Sequence, residues 1–159
     1  MAGVSFGSRA SAWRRASADG LVVRAADALG CHDTPVVRAL EAAVRMIPEH
    51  HTVSSWAREM ELEHRQSLHE LFTDRGLPPP KEVLDHMRLA RLAVFAAGAN
   101  EAPTRDELAC RFGYSSGDYL GKTAKRCLRM TLGTLLEQGP RAALDHLARV
   151  AAEHRTARV

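Results

Sequence analysis

The chain has 159 residues, room for one ordinary domain or for two very small units that share a support. Its hydrophobic share of 45% includes only 5% aromatic residues, and Ala, Leu, Arg and Glu are plentiful, so helix is expected and an all-β fold is disfavoured. A formal net charge of +3 is compatible with nucleic acid without pointing to it, while Cys31, Cys110 and Cys127, odd in number and far apart, suggest neither a disulfide framework nor a zinc site and fit a reducing cytoplasm.

No window approaches the run of about 20 apolar residues that a bilayer span needs, so no membrane partner is expected. Residues 1–18 carry Arg and Ser but no acid. That composition suits a disordered N-terminal arm and is also that of an organelle transit peptide; the continued abundance of Ala and Arg to the C-terminus favours the arm. The arm is expected over 1–34, largely disordered or weakly helical, with a short helix from Asp19 to Gly30 carried by Leu21, Val22, Ala25 and Leu29.

Thr34 and Pro35 then give a cap and a first-turn proline, and Val36, Leu40, Val44 and Ile47 recur at helical spacing until Pro48. Two short helices follow, Val53 to Met60 and His64 to Phe72. The run Gly76-Leu77-Pro78-Pro79-Pro80 breaks the chain, since proline lacks an amide hydrogen and clashes with the preceding turn. Lys81 to Ala97 is the longest helix, closed by Gly98, and spans roughly 25 Å at about 1.5 Å per residue. Thr104-Arg105-Asp106-Glu107 reads as a capping box. It opens a helix that runs to Gly113, and Ser115 or Ser116 caps the next, which reaches Arg129 with Asp118 near its positive end. Thr131 to Gln138 and Pro140 to Glu153 complete the set, the last with Leu144, Leu147 and Val150 on one face.

Val53 to Phe72 and Thr104 to Leu128 share one plan: a short helix, a tight turn, and a second helix with one apolar face. A helix-turn-helix unit places its second helix in the DNA major groove and needs an inward apolar stripe and an outward polar, basic one. In the second unit Leu120, Ala124, Cys127 and Leu128 face inward, and Asp118, Lys122, Lys125 and Arg129 form the opposite stripe with Arg126 beside it. The bland alternative is a solvated basic face on a helical bundle.

Gly113-Tyr114-Ser115-Ser116-Gly117, with Glu107-Leu108-Ala109 before it and Tyr119-Leu120 after it, resembles the C-terminal DNA-binding domain of the AraC/XylS family of bacterial transcription regulators. Trp56-Ala57-Arg58-Glu59-Met60, the Gly76-Leu77 turn and Arg88-Leu89-Ala90-Arg91 look like landmarks of its first unit and linker helix. The resemblance covers about Thr52 to Leu136. It implies an all-α fold with two helix-turn-helix units bridged by a long linker helix, a DNA-binding domain over 35–138, and a C-terminal helix and tail over 139–159. By the same resemblance the two recognition helices enter successive major-groove segments on one face of double-stranded DNA. RNA polymerase or a separate sensor protein is the further partner such a cytoplasmic regulator implies.

The chain departs from the family pattern at Ala124, where a second Phe is usual, and at Arg129 and Leu132, where Gly and Pro are. Between Thr52 and Gly76 the acids Glu59, Glu61, Glu63, Glu70 and Asp74 outnumber Arg58, Arg65 and Arg75, which phosphates disfavour. These features favour a rival, a degenerate helix-turn-helix module that binds a protein and does not read DNA. The residues expected toward DNA are His64, Arg65, Gln66 and His69 on the first recognition helix. On the second they are Ser116, Gly117, Asp118, Lys122, Lys125, Arg126 and Arg129. His50-His51, Cys31-His32 and the His64, His69 pair lack the spacing of a metal site. Without a Gly-rich phosphate loop or a nucleophile elbow, neither enzyme activity nor a cofactor is expected.

Overall fold

Proline and glycine divide the chain much where the sequence places them. The computed structural model describes residues 20–158, and these hold nine α-helices and no strand. Helix α1 covers 20–29 and stops at Gly30, whose φ of +65° suits a residue without a Cβ. Helix α2, Thr34–Met46, starts one residue earlier than its signals suggest: Asp33 is the cap, and Thr34 already belongs to the helix. Helices α3, Val53–Glu59, and α4, Arg65–Asp74, follow, the first capped by Thr52, whose Oγ1 accepts from the Ser55 amide at 3.0 Å. The last of the three prolines already belongs to α5, which runs from Pro80 to Ala97 and so starts one residue before the expected Lys81. The capping box forms as expected, with Thr104 Oγ1 accepting from the Glu107 amide at 3.1 Å and Glu107 accepting from the Thr104 amide at 2.8 Å. It opens α6, Arg105–Arg111, which is followed by α7, Gly117–Leu128, α8, Leu132–Gln138, and α9, Pro140–Ala157.

Helix α5 is the centre. Helices α2, α3 and α4 pack on one another and on α5; α7 and α8 also pack on α5, and α6 rests on α7. Trp56 on α3 is fully buried, meets Phe72 edge-on at 5.5 Å, and donates its indole hydrogen to the Ala39 carbonyl at 2.7 Å. That bond satisfies the one polar atom of a large apolar side chain. Toward the other end of α5, Phe95 meets Phe112 at 5.9 Å, while Leu108, Leu120 and Leu128 are buried.

The short helix expected from Asp19 to Gly30 forms as α1 over 20–29, and it is packed rather than part of a disordered arm, because Leu21, Val22, Ala25, Ala26 and Leu29 all enter the core. The composition at 1–18 that suits a transit peptide lies outside the described residues. At the other end α9 passes beyond Glu153 to Ala157 and lies along α5 and α8 rather than forming a separate tail. Arg155 donates to the Leu29 carbonyl at 2.8 Å and Arg158 to the Thr73 carbonyl at 2.7 Å, so the end of α9 caps α1 and α4. Arginine at the last carbonyls of a helix satisfies acceptors that have no intrahelical donor.

Leu68 and Leu120 are each wholly buried, one on α4 and one on α7. Truncating either to Ala removes the transfer energy of the side chain and leaves a void, and is expected to lower unfolding free energy by about 2–5 kcal/mol in urea titrations. A loss well under about 1 kcal/mol at both would contradict this packing.

Candidate nucleic-acid interface

Helix α7 is held from three sides. Its core face is Leu120, Thr123, Ala124 and Leu128, all buried, whereas Cys127, expected in that stripe, is only half-buried. Thr123 is the member that periodicity missed: a polar residue whose hydroxyl is buried without a hydrogen-bond partner. At its start Ser116 Oγ accepts from the Tyr119 amide at 3.0 Å, and Asp106 on α6 accepts from the Gly117 amide at 3.0 Å. Two amides that the helix leaves unpaired are thereby satisfied.

Gly117 is corrected by this geometry. It is buried, and a Cβ there would run into Asp106 and the Arg105 side chain. Its lack of a side chain lets α6 approach α7 and is not offered to a groove. Ser116 is exposed but engaged as the cap. Asp118, Lys122, Lys125, Arg126 and Arg129 are all exposed, as expected. Among the described residues no carboxylate lies within ion-pair distance of Lys122, Lys125 or Arg129. Arg105, which sequence reasoning passed over as a capping-box residue, lays its guanidinium beside Gly121. Two glycines four apart on α7 were the signal, because they leave a channel for a long side chain. Arg126 lies on the other flank, against Tyr119 and Cys127.

The turn before α7 is fixed from outside. Arg88 on α5 is only 7% exposed, donates to the Phe112 carbonyl at 2.6 Å, and sits 4.1 Å from the centre of the Tyr114 ring. Gly113 has a φ of +76° and faces the His51 imidazole, which would stand 2.7 Å from a Cβ there. His51 precedes α3, so the first helix pair touches the turn of the second. Burial and the nearby Arg88 lower the His51 pKa.

The α4 residues form a second, separate group. His64, Arg65 and Gln66 are exposed at the start of α4 and His69 is half-exposed one turn on. Glu61, in the turn between α3 and α4, takes a φ of 59° in the left-handed region, which disfavours a residue with a Cβ by about 1–2 kcal/mol. One of the acids on this side is matched, since Glu59 pairs with Arg45 at 3.3 Å. Glu61, Glu63, Glu70 and Asp74 stay exposed. The two groups are carried by different helices, each packed on α5.

No family model, curated protein or solved structure matches this chain. Among the described residues no three His, Cys, Asp or Glu side chains gather as a metal site, and no helix is long and apolar enough to cross a membrane.

Beneath the C-terminal end of α7, His86 on α5 stacks on His146 of α9 with ring centres 5.2 Å apart. His86 Nδ1 lies 2.7 Å from the Glu82 carbonyl and must donate to it, so its Nε2 accepts from His146 Nδ1 at 2.9 Å. This arrangement needs His86 neutral and holds only one proton between the facing nitrogens, so the two rings cannot both be protonated. Burial lowers the pKa of each from 6.5, reinforced at His146 by His86, Arg149 and Arg129. A depressed histidine pKa gives stability that is complete above pH 6.5 and is lost as pH falls through the folded-state value. The urea midpoint is expected to drop between about pH 7 and pH 5, and replacing both histidines by Met should flatten that drop. A double variant with the same pH dependence as the parent would remove the pair as its cause.

Proposed function

We propose that this chain binds double-stranded DNA as a transcription regulator of the AraC/XylS type, with α3–α4 and α6–α7 acting as two helix-turn-helix units and α4 and α7 as their recognition helices. The observation that carries the reading is the outward pair Lys122 and Lys125, exposed and without acid partners, on a capped helix backed by a buried face. A helix so mounted presents its charge in a fixed direction, and unpaired amines on a rigid surface are what phosphates attract. Arg105 on one flank and Arg126 on the other widen the positive surface.

The two helices divide the work. With Lys122 and Lys125, α7 supplies most of the phosphate attraction. On α4, Arg65 and Gln66 stand among acids, so it contributes register and base contacts rather than charge. The exposed acids around α4 favour the second reading, a protein-binding module derived from such a domain.

The expected outcome is steep loss of duplex affinity with salt, with a log–log slope of about −0.9 per phosphate contact. Lys122→Ala with Lys125→Ala should weaken binding to all duplexes and reduce the slope by up to about two contacts' worth. Arg65→Ala with Gln66→Ala should change sequence preference more than affinity. Titrations of both double variants across a salt series test this. Flat salt dependence, or no duplex binding at low salt, favours the protein-binding module, and reversed effects of the two variants would exchange the roles of α4 and α7.

A further inference from the structure

A cleft of about 500 Å³ opens between the C-terminal end of α7, the first turn of α5 and the middle of α9. That volume falls in the range of small-molecule sites, roughly 300–1,000 Å³. Arg126 and Arg129 come to it from the end of α7 and Arg149 from α9, with His146 beside them and Glu82 and Glu153 in the same lining. All three arginines are exposed, and among the described residues no carboxylate oxygen lies within ion-pair distance of any of them. Like charges brought to one cleft repel, and the two glutamates, though present, do not engage them. At His146, beside the cleft, burial and His86 disfavour protonation most, with Arg149 and Arg129 adding to them and Glu153 opposing.

Arg129 gives an independent observation. It ends α7 with φ 55° and ψ 30°, the left-handed conformation in which helices ordinarily place glycine. The helix thus ends on a long cationic side chain at a position where glycine would be unstrained. Here that side chain lines the cleft.

We propose that this cleft binds a small organic dianion, a phosphate monoester or a dicarboxylate, through the guanidinium groups of Arg126, Arg129 and Arg149. Guanidinium is planar and offers parallel N–H donors, which fit the paired oxygens of either group. Three of them arriving from two helices suit a ligand with two negative charges, and such a ligand would relieve their mutual repulsion. The open mouth leaves room for the organic part.

The site does not depend on the DNA-binding reading, because Arg149 and the rest of α9 lie outside the α7 stripe. Where both hold, the dianion shares Arg126 and Arg129 with the phosphates of DNA, and its binding weakens that of a duplex. The ligand is then a signal read by the same helix.

The test is isothermal calorimetry of the full chain, without DNA, against inorganic phosphate, glycerol 3-phosphate and succinate, each at ionic strength matched with sodium chloride. Saturable binding of at least one is expected, and the two phosphates against succinate separate the monoester from the dicarboxylate. Arg149→Ala and Arg129→Gly should each weaken that binding tenfold or more. Arg129→Gly also relieves the left-handed strain, so its thermal midpoint should stay at or above the parent's, and lost binding cannot be put down to misfolding. Failure of all three probes to bind, or binding undiminished in either variant, would overturn the proposal. Because no DNA is present, that failure leaves the DNA-binding reading to its own salt titrations.

Discussion

The burial of α5 on nearly every side is the constraint from which the rest of the molecule follows. Val83, Leu84, Met87, Leu89, Ala90, Leu92 and Ala93 go round the helix, and all are buried. A helix with buried apolar residues on every side cannot rest on one neighbour; it has to be enclosed. Helices α2 to α4 cover one part of it, α7 and α8 another, and α9 runs along what remains. Its two buried polar side chains are used to tie these layers down: His86 binds α9 through His146, and Arg88 binds the turn before α7 through the Phe112 carbonyl. A buried polar group without a partner costs about 1–3 kcal/mol, so these contacts offset part of that penalty, although Arg88 Nε stays buried without a partner.

Enclosure gives α9 a structural part that the two helix pairs alone would lack. It begins beside α8 and ends at the carbonyls of Leu29 and Thr73, and so spans from the second helix pair to the first. Two small units joined only by one helix could tilt relative to each other. With α5 between them, α9 alongside, and His51 seated against Gly113, their relation is fixed by packing. In the DNA-binding reading, that rigidity is what allows α4 and α7 to act together without paying an ordering cost on each encounter. The same helix forms one wall of the arginine-lined cleft, which places a ligand site next to the α7 stripe.

Local signals were read well from the sequence. Thr104 and Glu107 announce a capping box because each residue of the pair names the other's partner, and the triple proline separates α4 from α5, its last member opening the new helix. The outward stripe of α7 follows from spacing alone. What sequence could not supply was anything set by distant contacts. The helix over 20–29 is legible from its apolar spacing, but its docking is not, since its last carbonyl is met by Arg155 more than a hundred residues away. Gly117 reads equally well as room for a groove and as room for α6; only the position of Asp106 decides. Thr123 and Arg88 carry polar side chains into the core, which no count of apolar residues would place there. Arg105 was hidden between the two residues that form the capping box.

The central claim is that a rigid pair of helices reads a duplex, and the most direct measurement is a selection of random duplexes by the purified full chain at moderate salt. The account predicts an enriched motif in two segments about one helical turn, roughly 10 base pairs, apart, as two recognition helices on one face of DNA require. Recovery of duplexes with no enriched sequence, or of none above background, would contradict it.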